Sequence, residues 1–177
     1  MSGKGVEALK GSSVEGAPAS TLQPFNPSTL EFINHQRTKR LDLARLRRVA
    51  DAVLTELNIH HWNLSFYFVG VKRMAGINEQ HLGHAGPTDV ITFDYNDPDT
   101  PGCIAGEIFI CVEVAVVQAR EFRTTWQLEV ARYIIHSLLH LCGHDDLKPA
   151  ARRKMKQVEN RLLGKLTRQF KLSGLGA

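Results

Sequence analysis

Two histidines four residues apart, His136 and His140, stand in the run HSLLHLCGHDD, followed by Gly143, His144, Asp145 and Asp146. On an α-helix, side chains four apart are turned by only about 40° and offset by about 6 Å, so the two imidazoles project side by side. Such a pair can chelate one divalent cation. Gly143 lets the chain turn sharply and would return His144, Asp145 or Asp146 over the same face. Two histidines and a carboxylate leave coordination positions open for water, as a catalytic zinc requires, and zinc lowers the pKa of its water to roughly 7. Ile134, Ile135, Leu138, Leu139 and Leu141 flank the pair and set it on or beside a buried helix. An unpartnered imidazole there costs about 1–3 kcal/mol, so a metal or a second polar partner is required. The alternative is two half-buried, hydrogen-bonded side chains; the glycine turn and the acids after it favour the metal.

The spacing is similar to the zinc-protease signature HExxHxxGxxH, but Ser137 stands where that chemistry needs a glutamate as general base. Charge suggests another substrate. Between Arg37 and Arg48 there are six Lys or Arg against Asp42 alone, and between Arg152 and Lys171 eight against Glu159 alone. Basic faces of this density suit a polyanion such as RNA, although charge runs are commonly just the solvated faces of helices.

Several elements must position the histidines. A first strand is predicted over LEFINHQ (30–36), then a helix over 41–57 with its apolar stripe at Leu46, Val49, Ala50, Val53, Leu54 and Leu57. WNLSFYFVG alternates Trp62, Leu64, Phe66 and Phe68 and reads as a strand; VKRMAGINEQHL is helical, and HAGP breaks it. Strands follow at TDVITF (88–93) and IAGEIFIC (104–111), then a helix over about 112–122. Thr124 and Thr125 offer an N-cap to the most apolar helix, WQLEVARYIIHSLLHLCG, which Gly143 terminates. A basic amphipathic helix spans about 149–170, with Met155, Val158, Leu162 and Leu166 on one side. The expected fold is α/β (α+β): a small mixed sheet of about four strands packed with helices, the metal site on a central helix.

The 177 residues, 43% apolar and 23% charged, suit one core. Residues 1–24, rich in Gly, Ser, Ala and Pro, read as a disordered or loosely attached arm, with a single domain over 25–177. Without a secretory signal or a segment long enough to span a bilayer, a cytoplasmic location is expected. Cys103, Cys111 and Cys142 form no CxxC pair, which argues for reduced, mostly buried thiols.

HSLLHLCGHDD resembles the helix motif HGxLHLxGYDH of the YbeY family, the metal-dependent endoribonucleases of rRNA maturation. That family also carries an Asn, a loop, TDVLSF, and a strand with GDI; here these are Asn78, the loop to Pro87, TDVITF at 88–93, and Gly106-Glu107-Ile108. The resemblance runs from about Trp62 to Leu163, with three motifs in order. It implies His136, His140 and Asp146 as metal ligands, Asp146 replacing the family's third histidine, with His144 as the rival third ligand. Leu82 stands where the family usually has a phosphate-contacting Arg; either His84 or a basic residue elsewhere supplies that charge, or catalysis is weaker than the resemblance implies, and a plain surface-loop role for His84 is an equal reading. Thr88 and Asp89 open a strand, where stabilising the turn is as good an account as catalysis. Glu107, at the family's Asp position, could orient a ligating imidazole or act as general base, with an outward-facing strand carboxylate an equal alternative.

The resemblance thus implies a zinc-dependent, single-strand-specific endoribonuclease acting in small-subunit rRNA 3′ end processing and ribosome quality control. One Zn2+ per chain, His136, Glu107 and His84 in catalysis, and RNA contacts from Arg152, Arg153, Lys154 and Lys156 are expected. Its partners would be rRNA, the small ribosomal subunit and ribosome-associated proteins, with neither DNA nor membrane. The rival readings are a ribosome-assembly RNA-binding factor with a structural metal, favoured by Leu82, and a metalloprotease-like zinc hydrolase, opposed by Ser137.

Overall fold

Leu64, Phe66 and Phe68 point to one face of a strand and Tyr67 and Val69 to the other, so both faces of the sheet must be covered. The computed structural model describes residues 9–10, 28–100 and 102–176. Its strands are β1 (Leu9–Lys10), β2 (Thr29–Asn34), β3 (His61–Val69), β4 (Val90–Asp94) and β5 (Cys103–Cys111), in the order β1-β4-β5-β3-β2. The sheet is mixed: β4 runs antiparallel to β5, and the other neighbours pair in parallel. The fifth strand is an addition to the four expected. Two residues at a sheet edge offer no periodicity to read, and the rest of the predicted arm lies outside the described residues.

Among the described residues five α-helices accompany the sheet: α1 (Leu43–Glu56), α2 (Val71–Leu82), α3 (Val112–Glu121), α4 (Trp126–Leu141) and α5 (Pro149–Gln169). Their ends follow local chemistry. Asp42 accepts from the Arg45 amide to open α1, the Thr125 hydroxyl accepts from the Leu128 amide to open α4, and Pro149 starts α5. Gly83 (φ 66°) and Gly143 (φ 81°) take the left-handed turns that end α2 and follow α4.

The larger core joins Leu64, Phe66, Phe68, Ile108 and Ile110 to α1, α4 and α5; a smaller one on the opposite face packs Val69, Phe109 and Cys111 against Met74 of α2. Eleven of the sixteen residues of α4 are buried, which makes it the central helix. Its C-terminal end is seated on β5 at Gly106, where a Cβ would come within 2.6 Å of the Phe93 carbonyl and 2.9 Å of a Leu141 methyl. Asn96 clamps the same end, donating to the Leu141 carbonyl (2.8 Å) while accepting from the Ala105 amide (2.8 Å). Among the described residues no helix is long and apolar enough to cross a membrane.

Candidate metal centre

The last two turns of α4 carry His136 and His140 on one face, and their Nε2 atoms lie 3.1 Å apart. The turn at Gly143 brings Asp146 back over them, with its carboxylate oxygens 3.9 Å from His140 Nε2 and 4.0 Å from His136 Nε2. The ligand atoms of these three side chains all lie within 4.8 Å of one another.

Their proton inventory follows from the opposite side of each ring. His140 Nδ1 sits 3.1 Å from the His144 carbonyl, which can only accept, so Nδ1 carries the proton and Nε2 the lone pair. His136 Nδ1 sits 3.2 Å from Glu159 Oε2. Burial pushes the Glu159 carboxyl up, but bonds from His136, Lys156 and Arg132 outweigh it and hold the group at about 2, so it too accepts. Burial, and next the neighbouring His136, lower the pKa of His140 and keep its lone pair free. Asp146 Oδ1 is buried with no hydrogen-bond partner.

Two lone pairs and a carboxylate oxygen therefore converge with no donor between them, an arrangement a cation satisfies. Nitrogens at about 2.0–2.1 Å from a tetrahedral zinc are about 3.3–3.4 Å apart, close to the spacing seen here, and the donor set suits that metal. The side chain of His136 is 18% exposed and that of His140 4%, so the site opens to solvent on the His136 side.

The other predicted residues fall as follows. His144 is not part of the cluster; its main-chain carbonyl orients His140. Glu107 does not orient either imidazole, because both Nδ1 atoms are engaged elsewhere. Strand alternation turns Gly106 toward α4 and Glu107 to the opposite face, where it accepts from the Tyr67 and Tyr95 hydroxyls (both 3.1 Å). His84 is exposed in the turn after α2, its backbone amide bonded to the Asn78 carbonyl. Leu82 packs against the smaller core, and Asn78 donates to the Gly86 carbonyl, holding that same turn. Asp89 accepts from the Thr88 hydroxyl and the Val90 amide, a turn-stabilising role. Ser137 is buried, and its hydroxyl donates to the Ile134 carbonyl (2.9 Å), so it has no base of its own.

Arg152, Arg153, Lys154 and Lys156 are exposed along the first turns of α5. Two of them also touch the centre's surroundings: Arg152 Nε donates to the Asp146 carbonyl (2.8 Å) and Lys156 Nζ to Glu159 (2.6 Å). Glu159 itself escaped the sequence reading. It appeared as the lone acid of a basic run, but its place among Met155, Leu162 and Leu166 on the apolar stripe was the signal of a buried carboxylate with a task.

A family model described as Endoribonuclease YbeY matches residues 31–167. A Chlorobium luteolum protein named Endoribonuclease YbeY is 37% identical over 135 residues, covering 76% of this chain and 96% of its own. One of the same name from Salinibacter ruber is 29% identical over 148 residues, 80% of this chain and 94% of its own. A Thermotoga maritima protein solved in solution superposes with a TM-score of 0.56 at 22% identity, over 80% of this chain and 93% of that one, a likeness of fold.

Proposed function

This chain belongs to the YbeY family and is an endoribonuclease, a hydrolase acting on RNA; from that membership we propose a zinc-dependent, single-strand-specific activity in small-subunit rRNA 3′ end processing and ribosome quality control. One Zn2+ would be held by His136, His140 and Asp146. The observation that carries this is the convergence of two Nε2 lone pairs and an unpartnered, buried Asp146 oxygen. When bound, zinc supplies an acidified water and a Lewis acid for a phosphate oxygen.

The chain's own residues set up the rest of the chemistry. Asp145 and Asp146 follow a glycine turn, so only Asp146 folds back as acceptor while Asp145 caps the turn through the Leu147 amide. Arg153 and Lys154, exposed on α5, would hold successive phosphates, and Arg152 and Lys156 carry the same basic strip up to the metal centre. His84 would supply the positive charge that Leu82 lacks, from the loop after α2. The catalytic unit in this reading is the single domain over 25–177, working in the cytoplasm with rRNA, the small ribosomal subunit and its associated proteins as partners.

A second reading, an RNA-binding assembly factor with a structural metal, draws on Leu82, whose side chain joins an apolar cluster where a phosphate-binding Arg was expected. The two separate in one assay: cleavage of a single-stranded rRNA fragment by the zinc-loaded chain and by His136→Ala. The nuclease reading expects turnover that falls by at least about 100-fold in the variant; salt-sensitive binding without turnover in the native chain would favour the assembly factor.

A further inference from the structure

We propose that Glu159 is a positioning residue for the metal centre, fixing the ring and tautomer of His136 so that α5 completes a site whose ligands all lie on or just after α4. This rests on the reading of His136 as a ligand. Glu159 is 3% exposed and faces inward with Met155, Leu162 and Leu166. A buried carboxylate requires donors, and its two oxygens divide them. Oε1 takes both cations, Arg132 Nη1 at 2.7 Å and Lys156 Nζ at 2.6 Å; Oε2 is left for His136 Nδ1 at 3.2 Å. A carboxylate serving only to staple α4 to α5 would need Oε1 and Arg132 alone. Arg132 is itself held by Glu129 (3.4 Å) and Asn160 (3.2 Å), so the carboxylate has a fixed support.

The two imidazoles need different help. His140 is enclosed by packing and takes a main-chain carbonyl on Nδ1, whereas the more exposed His136 has open space on one side and takes a carboxylate. A carboxylate behind a ligating imidazole fixes the Nδ1–H tautomer, presents Nε2 as the lone pair and raises its basicity; loss of such a partner typically lowers metal affinity by about 10–100-fold.

Glu159→Gln tests this sharply. Its amide oxygen stays between Arg132 and Lys156, which only donate, so its NH2 faces His136 Nδ1 and turns that nitrogen into an acceptor. The proton then moves to Nε2, where a metal must bind. Two readouts apply to the full chain: zinc affinity by chelator competition, and the His136 tautomer by 15N NMR of the metal-free protein. Expected are a native Nδ1–H tautomer, an Nε2–H tautomer in Glu159→Gln, and zinc affinity lower by about 10–100-fold in that variant. A native Nε2–H tautomer, or a Glu159→Gln variant that binds zinc as tightly as the native chain, overturns the proposal. Native protein that binds no zinc would instead defeat the reading of the site, while the native tautomer, needing neither metal nor variant, would still decide the role of Glu159.

Discussion

Gly106→Ala should damage the metal centre from outside it. The added Cβ would lie 2.6 Å from the Phe93 carbonyl on β4 and 2.9 and 3.2 Å from the two methyls of Leu141 at the end of α4. An ordinary contact begins at about 3.4–3.5 Å, so β4 must retreat from β5 by more than half an ångström and the Leu141 side chain at the end of α4 must give way. Leu141 can turn aside, but the carbonyl is backbone, in a strand paired to β5 over Val90–Asp94. Overpacking a core costs about 1–3 kcal/mol, and the backbone clash puts this case at the upper end, about 3 kcal/mol. For a domain of this size that lowers Tm by about 6–12 °C. Because Leu141 adjoins His140 and its carbonyl is held by Asn96, the shift should also weaken zinc binding. Urea unfolding and thermal melts of the metal-free protein read the first effect, chelator competition the second. A variant within 0.5 kcal/mol of native, about the scatter of surface substitutions, would refute the account of how α4 is seated.

Acid should unfold the metal-free chain partly through Glu159. Its folded pKa, about 2, lies below the usual 4.5, so its contribution is complete above pH 4.5 and is lost as pH falls toward 2. The shift corresponds to about 3 kcal/mol, so the stability gap between native and Glu159→Gln should narrow from pH 6 to pH 3; a constant gap would contradict it. Replacing Arg153 and Lys154 together by Ala should weaken single-stranded RNA binding and flatten the slope of log K against log salt by about 1.4, for two phosphates at about 0.7 each. Unchanged slope would move the RNA path off α5.

Much of this was legible in the chain because the signals were periodic. The stripe of α1, the alternation of β3 and the long apolar run of α4 each bury one repeating set of residues, and the structure's elements fall within a few residues of those patterns. His136 and His140 were legible for the same reason: four residues is one helical turn. Asp146 required the turn at Gly143, which a glycine announces without saying which following side chain returns. What escaped depended on contacts between elements. Glu107 was visible as a carboxylate on an apolar strand, but which face met α4 was decided by Gly106 and Leu141, thirty-five residues apart. Glu159 is matched to its imidazole across a helix pair, and β1 is only two residues at an edge.

Zinc stoichiometry of the 177-residue chain, measured beside Asp146→Ala and His144→Ala, tests the proposed centre most directly. One zinc per chain, lost or greatly weakened in Asp146→Ala and retained in His144→Ala, is the result the proposed centre predicts. A chain that takes up no zinc when loaded, or one whose metal survives Asp146→Ala and leaves with His144→Ala, would contradict it.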